Sequence, residues 1–172
     1  KSPNPQIPKI IKTKCYNDRR GYLQEIYLKK KLKKSFNFSL VTSSKKNVFR
    51  GFHFQLKKQQ AKLIYLVKGR LFDIAIDLRR DSKNFGKAYK FNLKEKNILY
   101  IPKGFAHGYL SLSSQSVLIY YMTNYRNAKN ENGIIWNDKK FKIKYPTKNI
   151  IISAKDKKLN TFNDFLKKYK SL

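Results

Sequence analysis

The stretch Lys62–Leu78, KLIYLVKGRLFDIAIDL, carries the clearest indication of the fold class of this chain. In its second half, apolar side chains alternate with polar ones at a period of two, which is typical of a half-buried β-strand. The apolar positions are Phe72, Ile74, Ile76 and Leu78, and the polar ones include Asp73 and Asp77. Because Lys68-Gly69 separates two apolar runs, the sequence predicts a hairpin at this pair.

The rest of the chain continues this pattern of short apolar segments separated by turn residues. It predicts further strands over residues 87–93, 98–101, 108–112 and 117–123. Strands at this spacing indicate an all-β sandwich or barrel. One helix is predicted at the end of the chain, where an apolar stripe follows helical spacing at Leu159, Phe162, Phe165, Leu166 and Tyr169. We therefore expect a single all-β domain over residues 1–172 with a short C-terminal helix.

Length and cysteine content narrow the class of protein. A compact chain of 172 residues buries roughly 68–70% of its unfolded surface, which is enough for a core without covalent staples. Cys15 is the sole cysteine, so an intrachain disulfide framework and a cysteine-based zinc cluster are excluded. The longest apolar run, 117–122, is far below the roughly 18 residues of a membrane span. We expect a soluble, cytoplasmic protein with no membrane partner.

The positive charge is the most unusual property of the composition. Forty Lys and Arg residues against ten Asp and Glu residues give a net charge of +30, which suggests nucleic-acid binding. The charge is mostly lysine and is spread along the chain, however, and most aromatic residues fall on predicted inward faces rather than on exposed stacking platforms. We expect a solvated lysine-rich surface with diffuse attraction to anionic substrates and no nucleic-acid partner. A basic nucleic-acid-binding β-barrel is the alternative from another functional class.

The chain has two histidines, and both lie in informative contexts. His53 alternates with phenylalanines in RGFHFQ (50–55), and His107 ends the turn PKGFAH (102–107), which resembles the second cupin motif. A metal site needs three or four ligands, and Gln55 stands where a His-x-His pair would have its second histidine. We expect no metal. A histidine that is simply hydrogen-bonded in the core is the alternative interpretation of each.

Five collinear segments closely resemble the dTDP-4-dehydrorhamnose 3,5-epimerase family of nucleotide-sugar epimerases. The resemblance runs from about residue 18 to 156. It implies a cupin jelly roll that works without metal or cofactor, forms a homodimer with a shared substrate site, and acts on a nucleoside-diphosphate 4-keto-6-deoxy sugar in cell-surface polysaccharide biosynthesis. The segments are RGFHFQ (50–55), QAKL (60–63), GRLFDIAIDLR (69–79), IPKGFAHG (101–108) and IWND (135–138).

The resemblance also implies roles for five catalytic candidates. A C–H beside the C4 carbonyl is weakly acidic, so inversion needs a base on one face, an acid on the other, and a cation or donor near O4. By the resemblance His53 is the base, Asp156 is its carboxylate partner, Lys62 lies near O4, Tyr120 is the general acid, and His107 contacts the sugar. Asp and His would then divide the work as they do in hydrolase triads.

Each of these residues also has a purely structural interpretation. Asp156 could cap the terminal helix, Lys62 could be a surface lysine at a strand edge, and His107 could close the turn after Pro102. Tyr120 could be a core tyrosine. Its inward orientation is expected from the sequence itself, because positions 118, 120 and 122 share one apolar face.

Substrate-binding candidates follow from the same resemblance. Arg20 and Glu25 match a segment that reaches the nucleotide site of the neighbouring subunit, and Arg50 matches a residue near the pyrophosphate, where a guanidinium suits bidentate contact. Surface ion pairing is the alternative for these three. The remaining candidates are Gln55, Tyr125 and Arg126.

Departures from the family leave the substrate open between a dTDP-hexose and a GDP-heptose. FSLVT (38–42) replaces the usual Gln-x-Asn-His-Ser, Tyr121 replaces a usual lysine, and Arg126 replaces an aromatic residue. A guanidinium can donate two parallel hydrogen bonds to guanine O6 and N7, which predicts a preference for the GDP-linked sugar. A 3,4-ketoisomerase is the rival activity on the same fold.

Overall fold

Two five-stranded antiparallel sheets packed face to face form the body of the protein. The structure is a computed structural model and describes residues 7–169 and 172. The strands are β1 (Lys9–Ile11), β2 (Cys15–Asp18), β3 (Gly21–Gln24), β4 (Phe38–Lys45), β5 (Phe49–Gln55), β6 (Lys62–Lys68), β7 (Arg70–Asp77), β8 (Ala88–Lys94), β9 (Ile98–Ile101), β10 (Phe105–Ser111), β11 (Gln115–Met122) and β12 (Glu131–Gly133).

The strand order confirms the expected jelly roll. The first sheet runs β1-β9-β6-β11-β4, the second runs β12-β5-β10-β7-β8, and β2 and β3 form a separate two-stranded sheet. The two sheets enclose one apolar cluster, to which β6, β9 and β11 contribute from one side and β7, β8 and β10 from the other. The predicted strand 98–101 has these bounds in the structure, and the other three predicted strands differ by one to three residues at their ends.

The outer face of each sheet is covered by a cluster of its own. The C-terminal segments pack Phe141, Phe162 and Phe165 against the second sheet. On the first sheet, Leu63 and Tyr65 pack with residues that precede β4. The interior between the sheets is therefore separated from both outer clusters, and that interior holds the site described below.

The hairpin predicted at Lys68-Gly69 is wrong. Strands β6 and β7 belong to different sheets, so the chain crosses from one sheet to the other at Gly69. Gly69 has φ +93°, and a Cβ there would lie 2.6 Å from the carbonyl oxygen of Gln115. Local turn residues cannot distinguish a hairpin from such a corner, because the distinction depends on the distant strands that pair with each arm.

The prediction that β7 is half-buried is also wrong, because both of its faces are covered. Asp73 and Asp77 are both fully buried. Asp77 accepts hydrogen bonds from Arg79 and Ser82, and Asp73 faces the interior between the sheets. A period of two in the sequence shows which side chains share a face but not whether that face is exposed. Here the alternating aspartates are buried beside apolar residues and are hydrogen-bonded within the protein.

The C-terminal helix is present and short, as predicted. It is α2 (Phe162–Tyr169), whereas Leu159 lies before it. Thr161 and Asp164 form its N-terminal cap, with Thr161 Oγ1 donating to Asp164 Oδ2 at 2.6 Å. A second helix, α1 (Lys29–Leu32), was not predicted and is a single turn. Among the described residues, no helix is long and apolar enough to cross a membrane.

Candidate functional site

The two histidines lie side by side on the inner face of the second sheet. His53 on β5 pairs directly with His107 on β10, and Arg50 pairs with Tyr109. Between these pairs the register is irregular, so Gly51 and Phe52 stand opposite the single residue Gly108. Residues three apart in a regular strand point to opposite faces, and this β-bulge allows both Arg50 and His53 to face the interior.

Glycine is required at the bulge for steric reasons. Gly51 has φ +129°, and a Cβ there would lie 2.5 Å from Gly108 Cα and 2.7 Å from the carbonyl oxygen of His107. Gly51 also donates its N–H to Asp156 Oδ2 at 3.2 Å. The Arg-Gly pair of the sequence motif thus bends β5 and supports the carboxylate that contacts His53.

His53 and Asp156 form a hydrogen-bonded pair. Nε2 of His53 donates to Asp156 Oδ1 at 2.8 Å, while the imidazole remains 29% exposed and Asp156 is buried. Burial alone raises the pKa of Asp156, but the hydrogen bonds from His53 and Gly51 and the charge of Lys155 outweigh it, so this pKa lies below its usual value. The ionised carboxylate accepts from Nε2–H and leaves the Nδ1 lone pair able to take a proton.

His107 has a carboxylate partner of its own. Its Nε2 donates to both oxygens of Asp73 at 3.0 and 2.9 Å, and both side chains are buried. Burial lowers the pKa of His107, and the adjacent Asp73 carboxylate offsets part of that effect. The two His–carboxylate pairs therefore differ in exposure, and the more accessible imidazole is that of His53.

Tyr120 and Lys62 lie on the opposite wall, on the inner face of the first sheet. Tyr120 on β11 pairs with Leu40 and Ile64, and Lys62 on β6 pairs with Met122. Leu118, Tyr120 and Met122 are all buried, as the alternation predicted. Across the described part of the chain, no protein group hydrogen-bonds the Tyr120 hydroxyl, which lines the cavity.

The environment shifts the protonation of both side chains. Burial lowers the pKa of Lys62 to about 8, and the carboxylates of Asp73 and Glu131 limit that decrease. Burial raises the pKa of Tyr120 well above its usual value, so at neutral pH its hydroxyl carries a proton. The first sheet thus presents a proton donor beside an ammonium group that is easily deprotonated.

These side chains line one cavity of about 580 Å³. This size lies within the range of roughly 300–1,000 Å³ that is usual for small-molecule sites. All five catalytic candidates line it, as do three of the substrate-binding candidates, Arg50, Gln55 and Arg126. The arrangement brings together a base with a carboxylate partner, a phenol on the facing sheet, and several cations.

Arg50 is held by a chain of hydroxyl groups. Its Nε donates to Ser44 Oγ at 2.9 Å, and Ser44 shares a hydrogen bond of 2.9 Å with the Tyr109 hydroxyl. The side-chain amide of Gln55, by contrast, is hydrogen-bonded to protein groups. Its Oε1 accepts from Asn127 N and its Nε2 donates to the Lys58 carbonyl. Gln55 therefore braces the loop that begins after β11.

Arg126 is paired at the cavity rim and is not a free guanidinium. Its Nη2 donates to Glu131 Oε2 at 2.8 Å, and Lys155 Nζ donates to the same oxygen at 3.0 Å. Tyr125 is 68% exposed, is not among the lining residues, and contacts the ring of Phe38. The sequence predicted that Arg126 donates two parallel hydrogen bonds to the nucleotide base. In the structure the Glu131 carboxylate competes with the base for this guanidinium.

Arg20 and Glu25 do not line the cavity of their own chain. Arg20 is exposed on the turn between β2 and β3 and forms an ion pair with Asp18 at 2.6 Å. That hairpin lies on the outer side of the first sheet, where Tyr22 shares a hydrogen bond with Tyr65. Their predicted role in a neighbouring subunit's site stays a prediction.

Three residues of the site were missed from sequence: Asp73, Glu131 and Lys155. An aspartate within the apolar strand FDIAI was a visible signal for Asp73, because a carboxylate between buried positions needs a partner. Glu131 and Lys155 gave no such signal, since a charged residue in a polar segment is ordinarily solvated.

Over residues 7–169 and 172, no group of three or more His, Cys, Asp or Glu side chains could hold a metal ion.

Comparison with known proteins gives one consistent family. The family model described as dTDP-4-dehydrorhamnose 3,5-epimerase matches residues 7–164. The curated dTDP-4-dehydrorhamnose 3,5-epimerase of Shigella flexneri is 35% identical over 162 residues, which cover 88% of this chain and 90% of the relative. That of Escherichia coli K12 is 34% identical over 168 residues, covering 92% and 91% of the two chains.

Solved structures agree with these sequence matches. The crystal structure of dTDP-4-dehydrorhamnose 3,5-epimerase from Elizabethkingia anophelis superimposes with a TM-score of 0.87 at 34% identity, covering 94% of this chain and 95% of that one. The dTDP-6-deoxy-D-glucose-3,5-epimerase from Legionella pneumophila, in complex with dTDP-4-keto-L-rhamnose, gives a TM-score of 0.87 at 33% identity, covering 93% and 91%.

Proposed function

Since the chain belongs to the dTDP-4-dehydrorhamnose 3,5-epimerase family, we propose that His53 and Tyr120 invert carbon centres of a sugar nucleotide bound between the two sheets. The enzyme is an isomerase, and its substrate is a nucleoside-diphosphate 4-keto-6-deoxy sugar. Its reaction removes a proton beside the C4 ketone and returns one from the other face. The centres concerned are C3 and C5, because both are bonded to C4.

The observation that carries the proposal is the placement of base and acid on facing walls. His53 lies on β5 of the second sheet, and Tyr120 lies on β11 of the first. Inversion needs proton removal and proton delivery from opposite sides of one carbon, and a ring lying between the sheets meets both groups in this way. If both groups lay on one sheet, the carbon would lose and regain its proton on the same face and would keep its configuration.

Asp156 gives His53 the properties of a base. Because Nε2–H is donated to the Asp156 carboxylate, the neutral tautomer carries its lone pair on Nδ1. When Nδ1 takes the proton from carbon, the resulting imidazolium is stabilised by the same carboxylate. General-base catalysis of this kind contributes typically about 10²–10⁴-fold.

Lys62 has the position and charge required to stabilise the enolate. Proton removal moves negative charge onto O4, and an ammonium in a partly buried cavity interacts with that oxygen more strongly than it would in water. Its pKa of about 8 leaves it charged at neutral pH and allows it to share a proton with the developing oxyanion. Arg50 and Lys155 add positive charge for the diphosphate.

The nucleotide we propose is dTDP. The relatives are named for dTDP-linked sugars, and the Legionella pneumophila structure contains one. The preference for GDP predicted from sequence requires Arg126 to donate two parallel hydrogen bonds to guanine. Because Arg126 Nη2 already donates to Glu131, the structure does not favour that preference. A 3,4-ketoisomerase would move the carbonyl between carbons, which does not require the acid on the opposite sheet that Tyr120 supplies.

We also propose that the enzyme is a homodimer whose subunits share each substrate site. Exposed apolar side chains near the β2–β3 sheet support this assembly, and they include Ile10, Tyr16, Tyr22 and Leu23. Arg20 and Glu25 lie in and just after the same hairpin, so an association through this surface would carry them toward the partner's cavity. Analytical ultracentrifugation of the purified protein measures its oligomeric state directly.

The test of function is incubation in D₂O with dTDP- and GDP-linked 4-keto-6-deoxy sugars, followed by NMR. Deuterium at C3, at C5 or at both, together with inverted configuration, supports the epimerase and identifies the centres. Movement of the carbonyl from C4 to C3 would support the ketoisomerase instead.

Gel-shift titration with generic DNA at about 150 mM salt examines the nucleic-acid alternative, for which we expect no binding.

A further inference from the structure

The guanidinium of Arg50 is bound to the protein along one of its edges. Nε donates to Ser44 Oγ at 2.9 Å, and Nη2 donates to the carbonyl oxygen of Ser43 at 3.2 Å. Nε and Nη2 lie on the same edge of the planar group, so strand β4 occupies that edge. In the described part of the chain, no further protein group accepts a hydrogen bond from Arg50. The other edge, formed by Nη1 and Nη2, is therefore available to a ligand in the cavity.

The hydroxyl groups behind Arg50 form a chain of hydrogen bonds with one direction. The Nε–H of Arg50 can only donate, so Ser44 Oγ accepts there and its own proton needs another acceptor. The Tyr109 hydroxyl lies 2.9 Å from Ser44 Oγ and 3.1 Å from Thr42 Oγ1. Because Ser44 and Tyr109 are buried, their protons are used within the protein. Ser44 therefore donates to Tyr109, and Tyr109 donates to Thr42.

This hydroxyl chain connects the two sheets beside the cavity. Arg50 and Tyr109 lie on β5 and β10 of the second sheet, whereas Thr42 and Ser44 lie on β4 of the first. Ser44 is 3% exposed and Tyr109 is 2% exposed, while Arg50 is an exposed side chain. A buried polar network in which every member has a partner is rigid. It can therefore fix a guanidinium that would rotate freely about its contact with the carbonyl of Ser43 alone.

We propose that Ser44 and Tyr109 are positioning residues that orient Arg50 so that its Nη1–Nη2 edge binds the diphosphate, an inference that rests on the proposed function because the diphosphate belongs to that substrate. A guanidinium binds phosphate through two parallel hydrogen bonds, and this contact depends on the plane of the group as well as on its position. An arginine that is already oriented loses less conformational freedom on binding, which increases affinity.

The test is the dissociation constant for inorganic pyrophosphate, measured by isothermal titration calorimetry. Pyrophosphate carries the diphosphate charge without a base or a sugar, so the result does not depend on the nucleotide. In Ser44→Ala we expect a dissociation constant about tenfold above that of the wild type, because the hydrogen bond lost is one to a charged group. Tyr109→Phe should raise the constant by a smaller factor, since it keeps the contact between Arg50 and Ser44.

The neighbouring serine provides a matched control. Ser43 precedes Ser44 on β4, its side chain is exposed, and its Oγ accepts from Gln115 Nε2 at 3.1 Å. Ser43→Ala keeps the carbonyl that Arg50 uses, so its dissociation constant should equal that of the wild type. Circular dichroism verifies that each variant is folded. An equal increase in Ser43→Ala, or no increase in Ser44→Ala, overturns the inference.

A double-mutant cycle distinguishes positioning of Arg50 from a general loosening of the two sheets. If Tyr109 acts through Arg50, Tyr109→Phe should weaken pyrophosphate binding in the wild-type background and have no further effect in Arg50→Met. Lys62 and Lys155 also line the cavity, so pyrophosphate is still attracted to the Arg50→Met variant. Weakening by the same factor in both backgrounds would show a purely structural role and contradict the proposal.

Kinetics separate binding from chemistry. Ser44→Ala and Tyr109→Phe should raise KM for the nucleotide sugar and leave kcat close to the wild-type value, because they affect ground state and transition state equally. A lower kcat with an unchanged KM would place these hydroxyl groups in the chemical step and contradict the inference. If the wild type turns over no 4-keto-6-deoxy sugar, the proposed function is refuted, whereas the pyrophosphate constants still decide whether the hydroxyl chain orients Arg50.

Discussion

Replacing Lys62 with methionine is expected to stabilise the protein while removing its activity. Burial lowers the pKa of Lys62 from the ordinary 10.5 to about 8, with Asp73 and Glu131 limiting the decrease. Keeping the ammonium charged in the folded state therefore costs up to about 3 kcal/mol at pH 7, since each pKa unit corresponds to about 1.4 kcal/mol. Methionine fills a similar volume without that cost.

The pH dependence of this stability difference shows whether the charge of Lys62 causes it. Between about pH 8 and 10.5 the unfolded chain keeps the Lys62 proton and the folded chain has lost it, so over this range the penalty disappears as pH rises. Urea unfolding should show Lys62→Met more stable than wild type by up to about 3 kcal/mol at pH 7, and this advantage should shrink toward pH 10. Lys68→Met, an exposed residue on the same strand, should show no such trend.

The same variant should lose about 10²–10³ in kcat, the usual effect of removing one donor from a developing oxyanion. In the wild type, the charged fraction of Lys62 falls from about nine-tenths at pH 7 to about one-tenth at pH 9, which predicts a roughly tenfold loss of kcat. A difference in stability that does not change with pH would contradict the lowered pKa of Lys62, and a wild-type rate that stays constant to pH 9 would contradict the catalytic role of its charge.

Three further outcomes are expected. Tyr120→Phe should slow net epimerisation while deuterium still enters with retention, because His53 can return a proton on its own face; equal loss of both would mean that the two groups act together. Activity should survive prolonged EDTA, and its loss on chelation together with stoichiometric metal would contradict a metal-free site. If Arg126 remains paired with Glu131, kcat/KM should favour the dTDP-linked over the GDP-linked sugar. Arg126→Ala should then change the ratio little, whereas a clear GDP preference that narrows in this variant would restore the base-reading role.

What the sequence predicted well depended on local periodicity and on motifs. The inward orientation of Tyr120 follows from alternation along β11, and the terminal helix follows from its apolar stripe. Both signals lie within a dozen residues of chain, where spacing alone fixes which side chains share a face. The catalytic roles proposed for His53 and His107 came instead from the resemblance carried by their motifs, whereas their direct pairing on one sheet is known from the structure.

What the sequence could not predict depends on pairing between distant segments. The corner at Gly69 resembles a hairpin until β6 is seen beside β11 and β7 beside β10. The bulge at Gly51 requires the close approach of Gly108, more than fifty residues away. Glu131 and Lys155 become part of the site only because β12 and the loop before Asp156 meet at β5.

Deuterium exchange in His53→Asn is the direct test of whether His53 removes the proton from carbon. An asparagine side chain at this position can still hydrogen-bond Asp156 through its amide but has no basic nitrogen. The fold should therefore persist while exchange at C3 and C5 falls by at least the roughly 10²–10⁴-fold contribution of a general base. Circular dichroism verifies that the variant is folded. Wild-type exchange rates in the folded variant would contradict the assignment of His53 as the base.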